Sequence, residues 1–172
     1  GWIVHRQGNR AWIVTNKHVV AKGKNADEVD VELYYGDLPE DIFLKPRITA
    51  RIIERTLTKN DADLALLEVQ SPEFPKDIGH LSMFERASQQ DKAISVVGNT
   101  DFKWINGTVV STSTTTSTLI PRLEKGYSGS PVLNPQNQVV GLLYEIDPQG
   151  KPHSYAHPIS LIAAKLQEWI GK

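Results

Sequence analysis

The sequence predicts an all-β sandwich or barrel with one helix at its C-terminal end. Three observations carry this. Short runs rich in Val, Ile, Thr and aromatic residues recur along the 172-residue chain, separated by turn residues at the spacing of sheet strands. One segment, "HPISLIAAKLQEWIGK", places Ile159, Ile162, Ala163, Leu166 and Ile170 at helical spacing, opens near Ser160 and stops at Gly171. A stretch with two prolines and no alternation, "QSPEFPKDIGHLSMFERASQQDK", separates the strand runs into two groups.

The first group is Ile3-Val4, Ala11 to Thr15, Val29 to Tyr35, Ile48 to Glu54 and Leu64 to Val69. Gly8-Asn9, inside "RQGNR", suits a hairpin turn between the first two. The second group is Ala93 to Val97, Trp104 to Val110, Thr115 to Leu119, Pro131 to Leu133, Val139 to Ile146 and Ser154 to Ala156. The run "STSTTTST", Ser111 to Thr118, has the composition of a linker, but threonine favours strands and Val109-Val110 lead straight into it. We read it as an exposed strand or hairpin. The proline-containing connection divides the chain into subdomains at residues 1–75 and 90–158, followed by the helix at 159–171.

Composition excludes several function classes. With 19 basic and 20 acidic residues the net charge is −1, so the chain lacks the concentrated basic surface that nucleic acid or an anionic membrane needs. No run approaches the apolar length of a membrane helix, and no signal peptide opens the sequence. The absence of cysteine rules out disulfides and thiolate metal sites and favours the cytoplasm over a periplasmic or secreted location. Because the chain opens inside a strand pattern, we read Gly1 as a cut in a longer protein, which leaves room for additional domains.

Three segments carry chemistry. "EKGYSGSPVLN" sets Ser128 between Gly126 and Gly129, whose backbone freedom allows sharp turns on both sides of the hydroxyl. That is either a tight Gly-Ser turn or a nucleophile elbow, and only a base and an orienting acid elsewhere decide between them. "IVTNKHVV" puts His18 at the end of an apolar strand, and "KNDADLALLEV" puts Asp63 immediately before another. Taken singly, each is ordinary turn or strand-end chemistry; together they are the residue types of nucleophilic hydrolysis. His153 and His157 are four apart, but Pro152 and Pro158 bracket them and the region reads as strand, so no metal is assigned. His5 and His80 read as surface residues, and Trp2, Trp12, Trp104 and Trp169 as packing.

These motifs resemble the trypsin-like (chymotrypsin-fold) serine proteases, in the style of short bacterial HtrA-type catalytic domains. "TNKHVV" resembles the family's histidine motif, "DLALLEV" its aspartate motif, which selects Asp63 over Asp61, and "GYSGSPVLN" its serine motif. "VVGN", "NGTVVS" and "SYAHPIS" resemble lesser family segments, in family order across nearly the whole chain. The α/β-hydrolase elbow, G-x-S-x-G, is not met because Ser130 stands at its last position.

The resemblance implies two packed antiparallel β-barrels with the active site between them and a C-terminal helix. It implies a serine endopeptidase acting on protein or peptide substrates, with His18, Asp63 and Ser128 as the triad and the N–H groups of Gly126 and Ser128 as the oxyanion hole. It implies no cofactor. Arg122, Glu124, Tyr144, Glu145 and Ile146 map to the walls and substrate-pairing strand of the primary pocket. The chain departs from the pattern at Tyr127, where the family has Asp or Asn, and at Ser130, where it has Gly. In the family's digestive branch that Asp pairs with a newly cut N-terminus, which a tyrosine cannot do, so activation by that route is not expected. The alternative the sequence leaves open is a catalytically silent or partner-activated peptide-binding domain of a larger bacterial protein.

Overall fold

The structure, a computed structural model, describes residues 1–21, 27–32, 47–56, 62–74, 79–83, 93–97 and 103–171. Strands β1 (Trp2–Gln7), β2 (Arg10–Thr15), β3 (Glu28–Val31), β4 (Ile48–Arg55) and β5 (Ala65–Gln70) form an antiparallel sheet in the order β1-β2-β5-β4-β3. A single helical turn, α1 (Lys17–Val20), follows β2. Strands β6 (Ala93–Val97), β7 (Trp104–Thr112), β8 (Ser117–Ile120), β9 (Pro131–Leu133), β10 (Val139–Ile146) and β11 (Ser154–Pro158) close into a six-stranded barrel. Helix α2 (Ile159–Ile170) follows β11 and ends on Gly171 in the left-handed conformation, φ 65°, which glycine adopts without strain.

The sequence reading and the structure agree on the strand runs, with shifts of a few residues at their ends. Residues 33–35 of the third predicted strand lie outside the described residues. The Ser/Thr run is a hairpin: β7 ends at Thr112, and the Ser113 hydroxyl accepts the N–H groups of Thr115 and Thr116 to fold the turn into β8. Trp104 is a correction. Along β7 the even residues Trp104, Asn106 and Thr108 face outward while Val109 is buried, so Trp104 is half exposed rather than packed.

Each unit has an apolar core of its own, and a third core joins the two. Ala11, Ile13, Ala50, Leu67 and Val69 fill the first, and Ile94, Val96, Leu119, Tyr127, Val140 and Leu143 fill the barrel. The joining core combines Trp2, Val14, Leu64 and Leu66 of the first sheet with Leu133, Val139 and Leu142 of the barrel and Ile159, Ile162 and Leu166 of α2. The connection is stitched to both units, since Leu81 N–H donates to Ile3 O and Val139 N–H to Ser82 O. This apolar seam fixes the two units relative to one another.

The first sheet also carries a buried carboxylate. Glu68 lies directly across β5 from Arg51 on β4 and Trp12 on β2. Its oxygens accept Arg51 Nη2 at 2.7 Å and Arg10 Nε at 2.5 Å, and the Arg10 guanidinium covers the Trp12 ring. Burial alone would raise the Glu68 pKa, but the two guanidiniums outweigh it and hold the carboxyl below its ordinary value. A pKa lower in the folded than in the unfolded chain makes the pair stabilising above the ordinary carboxylate range, and that contribution fades as the pH falls through it. Glu68→Gln is therefore expected to cost about 1–2 kcal/mol at neutral pH. In denaturant titrations the difference from wild type should shrink below about pH 4. A difference independent of pH would show that shape, not charge, matters there.

Candidate active site

β2 leads into His18, the first of the sequence-predicted site residues. Its last residue, Thr15, is buried, and the chain then leaves the sheet at Asn16, whose extended backbone (φ −79°, ψ 145°) starts the turn α1. His18 projects from that turn into solvent. Asp63 sits just before β5, anchored by the fully buried Leu64. The two are joined twice: His18 N–H donates to Asp63 Oδ1 at 3.0 Å, and His18 Nδ1 is hydrogen-bonded to Asp63 Oδ2. Asn16 Nδ2 donates to the Asp63 carbonyl at 2.9 Å, tying the two segments a third time. This pairing assigns the proton to Nδ1 and leaves Nε2 of His18 without a partner among the described residues.

Ser128 lies on the loop between β8 and β9. Leu123 and Tyr127 anchor that loop in the barrel core, so Tyr127 is a packing residue. Gly126 (φ 102°) and Gly129 (φ 84°) take left-handed conformations that a side chain would strain, and Ser128 is turned out between them. Gly129 has a second reason to be glycine: a Cβ there would stand 2.6 Å from Thr15 Oγ1. The serine loop thus packs directly against the end of β2 that leads into His18. Ser130, the other departure from the family pattern, is held by its backbone. Its N–H donates to Tyr127 O (3.0 Å) and its carbonyl accepts Leu143 N–H (3.0 Å).

The Ser128 hydroxyl donates to the Tyr144 carbonyl at 3.5 Å, a long bond, and no hydrogen bond joins it to His18 among the described residues. The N–H groups of Gly126 and Ser128 are likewise unpartnered there.

Of the residues that the sequence assigns to a substrate pocket, Arg122, Glu124 and Glu145 are exposed, while Tyr144 and Ile146 are half-buried. Arg122 Nε donates to Asp147 O at 3.4 Å. The Asp147 carboxylate is consumed internally: it accepts Tyr155 Oη–H at 2.5 Å and the N–H groups of Gln149 and Lys151. The Tyr155 hydrogen bond, aided by those two, holds Asp147 below the ordinary carboxylate pKa. The pairing of β10 with β9 stops at Leu142, whereas its pairing with β11 runs on to Ile146. Tyr144 is the extra residue of a bulge in that second ladder.

One residue the motifs did not single out for this site enters it. His157 on β11 is buried, and its Nε2 accepts the Asp63 N–H at 3.0 Å. The only signal in the sequence was a histidine within a strand, which does not reveal a partner on the other sheet. His153, four residues earlier, does not share this contact; its carbonyl accepts the Asp147 N–H instead.

Comparisons with known proteins identify one family. No curated protein matches the chain by sequence. Its fold is similar to Rv3671c from M. tuberculosis in two structures of inactive forms. For a serine-to-alanine mutant the TM-score is 0.69 at 17% identity, covering 99% of this chain and 80% of that one. For Rv3671c protease it is 0.68 at 17% identity, covering 98% and 82%. A serine endoprotease from Yersinia pestis is also similar, with TM-score 0.68 at 14% identity over 99% of this chain and 57% of that one. A family model for the trypsin-like peptidase domain matches residues 1–142, a span that contains His18, Asp63 and Ser128. With its sheet, closed barrel and C-terminal helix, the chain belongs to the trypsin-like peptidase family.

Proposed function

We propose that the chain is a serine endopeptidase using His18, Asp63 and Ser128. The observation that carries the reading is the pair of hydrogen bonds from His18 to Asp63 beside the serine loop, which leaves Nε2 open toward a donor. Ser128 Oγ–H gives its proton to His18 Nε2 as Oγ bonds to the peptide carbonyl carbon. Asp63 stabilises the imidazolium. The N–H groups of Gly126 and Ser128 hold the oxyanion, each contributing about 10²–10³ in rate. On collapse the C–N bond breaks and the amine takes the proton from His18; water then repeats the sequence on the acyl-enzyme. For attack the hydroxyl must leave the Tyr144 carbonyl, and such bonds commonly tighten only when substrate binds.

That same carbonyl bond favours a second reading, in which the isolated chain is held at rest and a partner domain completes it. The two structures of Rv3671c similar to it are themselves described as inactive forms.

Substrate would add to the barrel as an extended strand along Tyr144 to Ile146, on the side where β9 no longer pairs with β10. Around that edge Glu124 and Glu145 are exposed and without partners among the described residues, while Arg122 is turned toward Asp147. This charge balance favours a basic residue at the cleaved position. A peptide-library digest tests both layers. Internal cleavage after Lys or Arg, weakened by Glu145→Gln, is expected. Cleavage after Leu, Val or Ala, indifferent to that substitution, would overturn the preference, and no cleavage at all would favour the resting or silent domain.

A further inference from the structure

We propose that His157 is a positioning residue for Asp63, a hydrogen-bonded strut from the barrel that sets the direction from which the carboxylate meets His18. The inference rests on reading Asp63 as the acid of the triad. β11 places His157 directly opposite Leu142 of β10, in the seam between sheet and barrel. Both ring nitrogens are used. Nε2 accepts the Asp63 N–H at 3.0 Å, and Nδ1 donates to the Thr115 carbonyl at 3.3 Å.

Only one protonation state fits both bonds: a neutral ring with its proton on Nδ1, since an N–H cannot accept another N–H. The surroundings favour that state. Burial pushes the imidazole pKa below its ordinary value, against the opposing pull of the Thr115 carbonyl and the Asp63 charge.

The ring is also fixed in orientation. Tyr144 stacks on it with centroids 4.2 Å apart and planes 14° apart. The Tyr144 hydroxyl is hydrogen-bonded to Thr116 Oγ1 at 3.1 Å, so the tip of the β7–β8 hairpin holds both rings. This gives the Ser/Thr run a task its composition did not suggest. The bulge at Tyr144 turns its side chain onto His157 while its carbonyl accepts the Ser128 hydroxyl. One residue thus touches the serine through its backbone and the strut through its ring.

On its other side the Asp63 peptide is held by Asn16, whose Nδ2 donates to the Asp63 carbonyl. With N–H and C=O both clamped, one from each unit of the fold, the Asp63 backbone has little freedom to swing its carboxylate away from His18. Displacements of about 1 Å in such constellations cost up to about 10² in rate.

Two substitutions separate positioning from packing. His157→Gln keeps an acceptor at the reach of Nε2, whereas His157→Asn keeps only a donor near Nδ1 and leaves the Asp63 N–H without a partner. We expect His157→Asn to lower kcat about 10- to 100-fold with KM unchanged, and His157→Gln to restore most of the loss. Equal losses for both, or a loss of thermal stability with kcat intact, would overturn the proposal. An inert wild type would instead count against the protease reading. ¹⁵N NMR of the histidines in the unmodified protein decides the matter even if the variants fold poorly. His157 Nε2 should be unprotonated at neutral pH and coupled to the Asp63 amide proton; a protonated Nε2 would overturn the strut.

Discussion

Replacing Ser128 by alanine is expected to abolish peptide hydrolysis, lowering kcat by about 10⁵–10⁶ while leaving the protein folded. The size follows from the role: without the hydroxyl no acyl-enzyme forms, and what survives is binding and any oxyanion stabilisation. The fold should be indifferent because, among the described residues, the side-chain hydrogen bond lost is the long one to the Tyr144 carbonyl. Circular dichroism and thermal melts should superimpose on those of wild type. Ser130→Ala is the control, since the contacts of Ser130 that hold the loop are made by its backbone. If Ser130→Ala were the inactive variant, the nucleophile would be misassigned. His18→Ala should be as silent as Ser128→Ala, and the double variant no worse than either, because the two act as a unit.

The second large effect is expected at Asp63. Asp63→Asn should cost about 10⁴ in kcat. The carboxylate accepts from both the backbone N–H and Nδ1 of His18. An amide can accept one of these but presents an NH₂ to the other. If that NH₂ faces Nδ1, the ring must place its proton on Nε2, where it can no longer take one from Ser128. Structural damage should be limited, as the ties of the Asp63 peptide to Asn16 and His157 involve its backbone. Asp61→Asn, at a position outside the described residues, should leave kcat unchanged. Equal losses at both positions would mean that acidity of the whole segment, rather than one oriented carboxylate, is what matters.

Much of this was legible in the sequence because it is local. Strand runs announce themselves as short apolar stretches rich in β-branched residues, as in β2 and β5, which are buried almost continuously because their two faces fill different cores. The left-handed turns around Ser128 were legible because only glycine takes them cheaply, and both glycines do. The turn α1 was not: it spans four residues, two of them Val, which favour strands. The sequence therefore reads as an apolar strand with His18 at its end. The outward face of Trp104 could have been read from parity with Val109, had its aromatic bulk not suggested packing.

What local pattern cannot supply is contact between units. The role of His157 depends on the register of β11 against β10 and on how the barrel meets the first sheet. Its partner Asp63 lies far away in sequence, and a neutral buried imidazole looks in sequence like any strand histidine. The same holds for Thr115 and Thr116, whose backbone and hydroxyl hold the strut from the far side. The proline-containing connection was read as a spacer, yet Leu81 and Ser82 in it pair with both units.

The central claim is that Ser128 is a nucleophile activated by His18, and covalent labelling tests it most directly. The protein would be treated with a serine-reactive phosphonate and digested, and the modified residue located by mass spectrometry. The account predicts a single adduct on Ser128, absent from Ser128→Ala and suppressed in His18→Ala, which lacks the base. Labelling at another serine, or labelling of Ser128 that persists unchanged without His18, would contradict it.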